Sequence, residues 1–447
     1  MRDYEVPEHL ASEILSGRCV AFVGAGFSAS AVPTWRELLA RIGEELGKED
    51  PGAWARIRDA LPAPGARSPS AFDLEVFGQL LQDAFPRDGA AFERAVKTVL
   101  DAKQTDETLD RRKRLLCEIP FESVLTTNLD QHLAGDAPEP RAYSEALRGH
   151  LSWYERSDWL SDRRLRRTTI KLHGDANGRP DENPVVLTRS EYRKRLYRDA
   201  RYSNFLRAVF ATRTILFLGV SFTDAYLNEI RSEILALLED PEDPGPGPVH
   251  PRAYAVLPEL SQAKQAYFRR HEGIQVLAFP IPNPGDFSGF DGWLEAIHGR
   301  TSPQARLAGL LRGKRIAWLD PHERNNEYGM QLLERAGAEV ESLAGPGDLD
   351  PARHAGLDLL ISHFGYHRQR EAAALRLLAE LQTWEDRPPV IVFASGYEAD
   401  ENRRAVLRRG AYEYTSEWPG LFKLIEQLFE KILGRRPSAS SKVRQAV

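Results

Sequence analysis

The sequence predicts an α/β protein: a doubly wound parallel sheet with a helical insertion, followed by a smaller α/β domain. Three observations carry this expectation. Short apolar runs rich in β-branched and aromatic residues recur along the chain, of the kind buried on both faces of a parallel sheet. Several are separated by stretches of helical spacing, which parallel strands need as crossovers. After the first run the chain breaks into glycines and resumes as a helix.

Taken in order, residues 19–23 (CVAFV) form the first strand, Gly24-Ala25-Gly26-Phe27-Ser28 the turn, and a helix begins around Trp35. Residues 62–69 (PAPGARSP) read as a loop. Residues 72–116 place apolar side chains three and four apart and are expected to be mostly helical. Strands are expected again at 121–127, 168–172, 214–218, 253–257 and 274–279, with helices over 192–211 and 224–238. The Pro-rich stretch 239–251 is a loop. Together these make a Rossmann-like domain over residues 1–300. Residues 301–313 are the linker and 314–433 a second αβ alternation. There RIAWLD, LDLLISH and PPVIVFAS are strand-like, while 326–336 and 368–383 have helical spacing. The tail, 434–447, has too few apolar residues to pack and is expected to be disordered.

Bulk properties narrow the function. At 447 residues the chain holds two or three domains. A net charge of -5 argues against a general nucleic-acid binder, which replaces phosphate counterions with a basic excess. Two distant cysteines, Cys19 and Cys117, give neither a disulfide framework nor a CxxC zinc half-site. The polar N-terminus lacks a signal core, and no apolar stretch approaches the ~20 residues of a membrane span. A cytoplasmic protein without membrane partners is expected.

Four short motifs fall at the carboxyl ends of expected strands, where open α/β sheets bind ligands. They are the 24–28 turn, Thr126-Thr127-Asn128-Leu129-Asp130, Lys171-Leu172-His173-Gly174, and Gly219-Val220-Ser221 with Asp224 behind it. Gly24 and Gly26 lack a Cβ, so backbone amides can approach a pyrophosphate, and a following helix N-terminus favours the anion. The GxGxxG fingerprint of hydride-transferring enzymes is absent. Asn128 offers a donor and an acceptor to a ribose hydroxyl or a water. Asp130 can accept from ribose hydroxyls or face positive charge, although Asn-x-Asp after a strand is, taken alone, a turn or helix cap. Thr126 and Thr127 read as structural. His173, with an ordinary pKa near ~6.5, is the candidate general base.

In this order GAGFS, TTNLD, KLHG and GVS resemble the NAD⁺ site of the sirtuin family, over roughly residues 15 to 280. The resemblance implies NAD⁺ contacts from Gly24, Ala25, Gly26, Phe27, Ser28, Thr127, Asn128, Asp130, Gly219 and Ser221. It implies chemistry at Asn128, His173 and Asp130. The chain departs from the deacylases: it cannot supply four zinc cysteines, and SASAVPTWREL replaces the GIPDFR-like stretch. It is more similar to the sirtuin-like NADases of prokaryotic antiviral defence. That resemblance implies NAD⁺ as substrate, no zinc, and glycohydrolysis to nicotinamide and ADP-ribose. An NAD⁺-dependent deacylase or ADP-ribosyltransferase, and a silent NAD⁺ or ADP-ribose sensor, stay open as alternatives.

The second domain resembles a response-regulator receiver, a flavodoxin-like fold, through Trp318-Leu319-Asp320-Pro321, Asn325-Asn326 and the later strand-like runs. Receiver chemistry is missing. His363 stands at the phosphoacceptor position and Pro321 at one of the paired acids; Ala394, beside Ser395, replaces the switch hydroxyl and Glu417 lies near the lysine position. The resemblance implies a degenerate domain that senses a trigger ligand or protein, or supports a homo-oligomer. Arg-rich runs at 163–167, 403–404 and 408–409 read as solvated faces.

Overall fold

The protein is described by a computed structural model covering residues 4–62, 71–85, 90–100, 106–130, 132–133, 169–174, 176, 185–198, 200–222, 231–232, 251–283, 285–322, 326–365, 373–394 and 400–434. The chain forms two compact units that divide between Ala296 and Ile297, with Glu118–Pro120 counted to the second.

The first unit is built on six parallel strands: β1 (Cys19–Val23), β2 (Val124–Thr126), β3 (Thr169–Lys171), β4 (Thr214–Leu218), β5 (Ala253–Pro258) and β6 (Ile274–Phe279). Their order is β3-β2-β1-β4-β5-β6, the Rossmann order, which reverses direction at β1 and β4. All five residues of β1 and of β4 are buried, which explains the unbroken apolar runs. Expected strands at 121–127 and 168–172 shrink to three residues each, because pairing stops where the chain turns into the site loops.

Helices cover the sheet. Helix α1 (Glu8–Leu15) leads into β1, and α2 (Trp35–Gly47) follows the glycine turn behind a Thr34/Glu37 capping box. The helical stretch expected over 72–116 consists of α4 (Ala71–Ala84), α5 (Ala90–Leu100) and α6 (Glu107–Glu118), preceded by the short α3 (Pro51–Ile57). Leu38, Leu39, Ile42, Phe77, Leu81 and Phe92 give this insertion its own core, which also takes in Leu129 and Leu187 from the loops beside the sheet. The helix expected over 192–211 is interrupted: α7 (Arg189–Arg193) passes through a π turn, Lys194–Arg198, before α8 (Ala200–Thr212). Phe205, Leu206 and Val209 of α8 bury against Phe22, Leu125, Ile170 and Phe217. Helix α9 (Gln262–His271) joins β5 to β6, and α10 (Ser288–Thr301) follows β6.

The second unit holds α11 (Pro303–Ala308), β7 (Arg315–Leu319), α12 (Glu327–Arg335), β8 (Glu339–Leu343), β9 (Leu359–Ser362), α13 (Ala373–Leu381), β10 (Val390–Phe393), α14 (Asp400–Arg408), β11 (Glu413–Thr415) and α15 (Trp418–Ile432). Its parallel sheet runs β11-β10-β9-β7-β8, the flavodoxin order, so the smaller domain is doubly wound as well. Strands β8 and β11 sit at the two edges, and sequence patterning alone had not marked them. Asp320 follows β7 and accepts from the Asn326 amide at 2.6 Å and from the His322 N–H at 2.8 Å. The His363 N–H donates to the Leu319 carbonyl at 3.1 Å.

Among the described residues no helix is long and apolar enough to cross a membrane. The calls at Asp224, Asn325, Ser395, the 163–167 arginines and the loop before Pro251 fall outside the described residues, as do most of the 62–69 loop and all of the tail beyond Gly434.

Candidate active site

One register row runs across four strands of the first unit: Lys171 pairs with Thr126, Thr126 with Val23, and Val23 with Leu218. Each motif leaves the sheet just past that row. Gly24 and Gly219 come one residue beyond it, Asn128 and His173 two residues beyond it on neighbouring strands, which lie about 4.8 Å apart. The row lies at the carboxyl edge and takes in the β1/β4 switch point, so fold and motifs point to one place.

The two glycine turns are packed on each other. The Gly24 N–H donates to the Leu218 carbonyl and the Gly26 N–H to the Gly219 carbonyl, each at 2.9 Å. A Cβ on Gly24 would meet the Gly219 oxygen at 2.7 Å, and one on Gly26 would meet it at 2.9 Å. Ala25 and Gly26 are exposed at the tip, whereas the Phe27 and Ser28 side chains are buried. A residue that sequence reasoning passed over holds this turn from below. Arg112 of α6 donates to the Phe27 carbonyl at 2.9 Å and makes a bidentate pair with Asp291 of α10, at 2.5 and 3.1 Å. Its guanidinium lies 4.8 Å from the centre of the Phe290 ring. No local pattern announces Arg112, because its partners stand far away in the chain.

Asn128 is fixed by its donors. Its Nδ2 donates to the Gly24 carbonyl at 3.3 Å and to Ser28 Oγ at 3.1 Å. A carbonyl can only accept, so the amide cannot face it the other way round. That leaves Oδ1 buried with no hydrogen-bond partner among the described residues, on a residue only 6% exposed. Thr126 plays the structural part expected of it: its hydroxyl donates to the Val23 carbonyl at 2.8 Å and accepts the Asn128 N–H at 3.0 Å. Thr127 is half-buried.

Asp130 is buried, and its Oδ1 accepts the His132 N–H at 3.0 Å, an Asx-type contact that shapes the loop. Its main-chain carbonyl accepts from the buried Lys171 ammonium, which ties the Asn128 loop to the His173 loop. His173 is also buried. Its Nδ1 lies 3.2 Å from the Tyr192 hydroxyl, and its carbonyl accepts the Val186 N–H at 2.8 Å. Tyr192 and Lys171 are further residues whose parts in the site only the packing reveals. Ser221 is exposed at the end of the second turn, next to Phe222, which has a φ of 57°. The structure thus brings Gly24, Ser28 and Asn128 into direct contact and places His173 on the neighbouring strand; Ser221 lies after β4.

Near the glycine turn, burial pushes the Asp106 carboxyl up. Hydrogen bonds from Ser30 and from the N–H groups of Thr108 and Leu109, with Arg112 nearby, nevertheless hold it below the usual carboxylate range.

Residues 122–277 match the family model of the SIR2-like domain. An NAD(+) hydrolase ThsA of Enterococcus faecium is 26% identical over 235 residues, 52% of this chain and 43% of that protein. The proteins of the same name from Acinetobacter baumannii (strain 532279) and Bacillus cereus (strain MSX-D12) are each 24% identical over 51% of this chain, and over 41% and 42% of their own lengths. The chain therefore spans about two fifths of the length of the curated relatives it matches. A solved response regulator/GGDEF domain protein matches 49% of this chain and 80% of its own at 13% identity, with a TM-score of 0.26.

Proposed function

From the premise that residues 122–277 carry a SIR2-like domain, we propose that the protein hydrolyses NAD⁺ to nicotinamide and ADP-ribose, as a regulated effector of antiphage defence. The observation that carries this reading is Asn128 Oδ1, a buried acceptor beside the glycine turn that has no partner among the described residues. Leaving such an atom unsatisfied costs about 1–3 kcal/mol, so the site is built for a donor from outside, a ribose hydroxyl or a water. The relatives' name supports NAD⁺ as the molecule that brings it.

In this mechanism neutral nicotinamide leaves through an oxocarbenium-like state and water is captured at the anomeric carbon. Asn128 orients the ribose or the water, His173 takes the proton, and Asp130 faces the developing positive charge. Gly24, Ala25, Gly26, Phe27 and Ser28 line the pyrophosphate, Thr127 stands beside the ribose, and Gly219 and Ser221 face the adenosine half. No step requires a metal. Residues 1–300 would form the catalytic domain and 314–433 a receiver-like control domain, joined by 301–313. In that second domain His363 stands at the phosphoacceptor position and Pro321 at one of the paired acids, which suits a sensor or an oligomer contact better than a Mg²⁺-dependent phosphoacceptor.

Purified full-length protein incubated with NAD⁺, with products resolved by chromatography, tests the proposal. Free ADP-ribose formed without any acceptor is expected, and Asn128→Ala or His173→Ala should lower the rate at least 100-fold, the order of a general-base contribution. Undiminished cleavage by both variants, or product only when an acyl-lysine or protein acceptor is added, overturns it.

A further inference from the structure

A backbone turn that seats a pyrophosphate has to keep its carbonyl oxygens off the anion and its N–H groups toward it. Across a trans peptide bond the oxygen and the N–H point opposite ways, so whatever holds one sets the other. In the first unit the Phe27 carbonyl is held by Arg112, whose Nη1 donates to it at 2.9 Å. The direction of this bond is fixed, since a guanidinium only donates and a carbonyl only accepts. The N–H of the same peptide group, that of Ser28, turns the other way, to the carbonyl of Ala25 at 3.2 Å, a residue exposed at the tip of the turn.

Arg112 is itself built in. The residue is 4% exposed, and a guanidinium is seldom buried so far unless it is paired. Nε and Nη2 take the two oxygens of Asp291 in a fork, which leaves Nη1 aimed at the turn. With Asp291 beside it the pair carries no net charge, so what it offers an anion is geometry and not attraction. The ring of Phe290, next to Asp291 on α10, lies 4.8 Å from the guanidinium and meets the Phe27 ring edge to face, with centroids 6.2 Å apart. Carbonyl and side chain of Phe27 are thus held by the same two helices. Three residues on, the Ser30 hydroxyl donates to Asp106 at the start of α6. One helix therefore grips the turn at residues 27 and 30, and α10 supplies the carboxylate that aims the grip.

We infer that Arg112 is a positioning residue for the phosphates of the dinucleotide: aimed by Asp291, it holds the Phe27 carbonyl behind the turn and keeps the 24–28 backbone in the shape that admits a pyrophosphate. This rests on the reading of that turn as the pyrophosphate seat of an NAD⁺ hydrolase. It gives α6 and α10, which carry none of the four motifs, a task in substrate affinity and not in the chemical step. Asn128 keeps its contact with the Gly24 carbonyl when Arg112 is removed, because β4 holds Gly24 through the Leu218 carbonyl.

The test compares full-length wild type with Arg112→Met, Arg112→Lys and the double variant Arg112→Met/Asp291→Leu. Arg112→Met strands the Asp291 carboxylate and should lower the melting temperature. The double variant replaces the ion pair by apolar groups and should recover much of that loss, while the Phe27 carbonyl stays without its donor. In both, KM for NAD⁺ and the dissociation constant of ADP-ribose, read by isothermal titration calorimetry, should rise roughly 10-fold, with kcat changed by less than about threefold. Amide hydrogen exchange over residues 24–32 should quicken in the ligand-free protein. Arg112→Lys keeps the charge without the fork and should also bind weakly. A double variant that regains wild-type affinity along with its melting temperature overturns the inference, because Arg112 then serves stability alone. So does wild-type affinity in Arg112→Lys, or a loss that falls on kcat with ADP-ribose binding unchanged. A wild type that binds ADP-ribose but leaves NAD⁺ intact overturns the hydrolase reading, and the affinity loss in the variants then upholds the role of Arg112; a wild type that binds neither overturns both.

Discussion

Gly219 has a φ of +68°, and a Cβ placed on it would lie 2.2 Å from the Phe27 nitrogen. Both facts come from the same contact: the turn after β4 lies against the turn after β1, backbone to backbone. Alanine there meets a left-handed conformation and a clash with main chain that cannot rotate away. Gly219→Ala should therefore cost more than about 2 kcal/mol and lower the melting temperature of the first unit by several degrees. Differential scanning fluorimetry checks this, and a variant that melts like wild type would show that the two turns can part. The sequence suggests a different use for the glycines, close approach to a ligand. Their demand on each other stays hidden there, because β1 and β4 are neighbours only in the folded sheet. Asn128 shows the same division. Its residue type and place after a strand are legible, but the orphaned Oδ1 depends on Gly24 and Ser28 taking up the amide.

Among the elements, α6 best shows how helix chemistry serves the site. Asp106 caps its first turn by accepting the N–H groups of Thr108 and Leu109, and the same helix carries Arg112 to the glycine turn. The folded Asp106 carboxyl titrates below its ordinary range, so it contributes stability above the unfolded value near ~4 and loses it as pH falls through the folded value. Asp106→Ala should cost about 1 kcal/mol at pH 7, in line with other lost caps. The gap to wild type should narrow as denaturation curves are repeated at successively lower pH beneath the unfolded value; a gap that does not change with pH would contradict the assignment. Edge strands were the least legible elements. In β8 (EVESL) only Leu343 is buried, and β11 has three residues, so neither shows the apolar run that marks a central strand. The break between α7 and α8 was hidden for the opposite reason, since helical periodicity runs on through the π turn.

At the scale of the molecule, the chain holds two doubly wound sheets with separate cores. Phe22, Leu125, Ile170 and Phe217 center one, while Ala317, Leu360, Leu377 and Val392 center the other. Separate cores predict separate responses. Leu377 is fully buried in α13, and Leu377→Ala should cost about 2–5 kcal/mol in the second unit. In calorimetry of the full-length protein its transition should fall by several degrees while the first unit's transition, the one that Gly219→Ala lowers, stays in place. One shared transition that moves as a whole would mean the units unfold together. Two domains and their class were readable from alternating strand-like runs and helical stretches.

Sequence by itself determined which segments become central strands, which turns follow them, and that Asn128 and His173 stand at strand ends, because burial on both faces and turn chemistry are local demands. Tertiary structure alone decided which strands are neighbours, and with that the row Lys171, Thr126, Val23, Leu218 that gathers four motifs at one edge. It also decided which groups tune them: Arg112 under the glycine turn, Lys171 on the Asp130 carbonyl, Tyr192 on His173. Such contacts join residues distant in the chain through single hydrogen bonds, and a single hydrogen bond leaves no periodicity in a sequence to read.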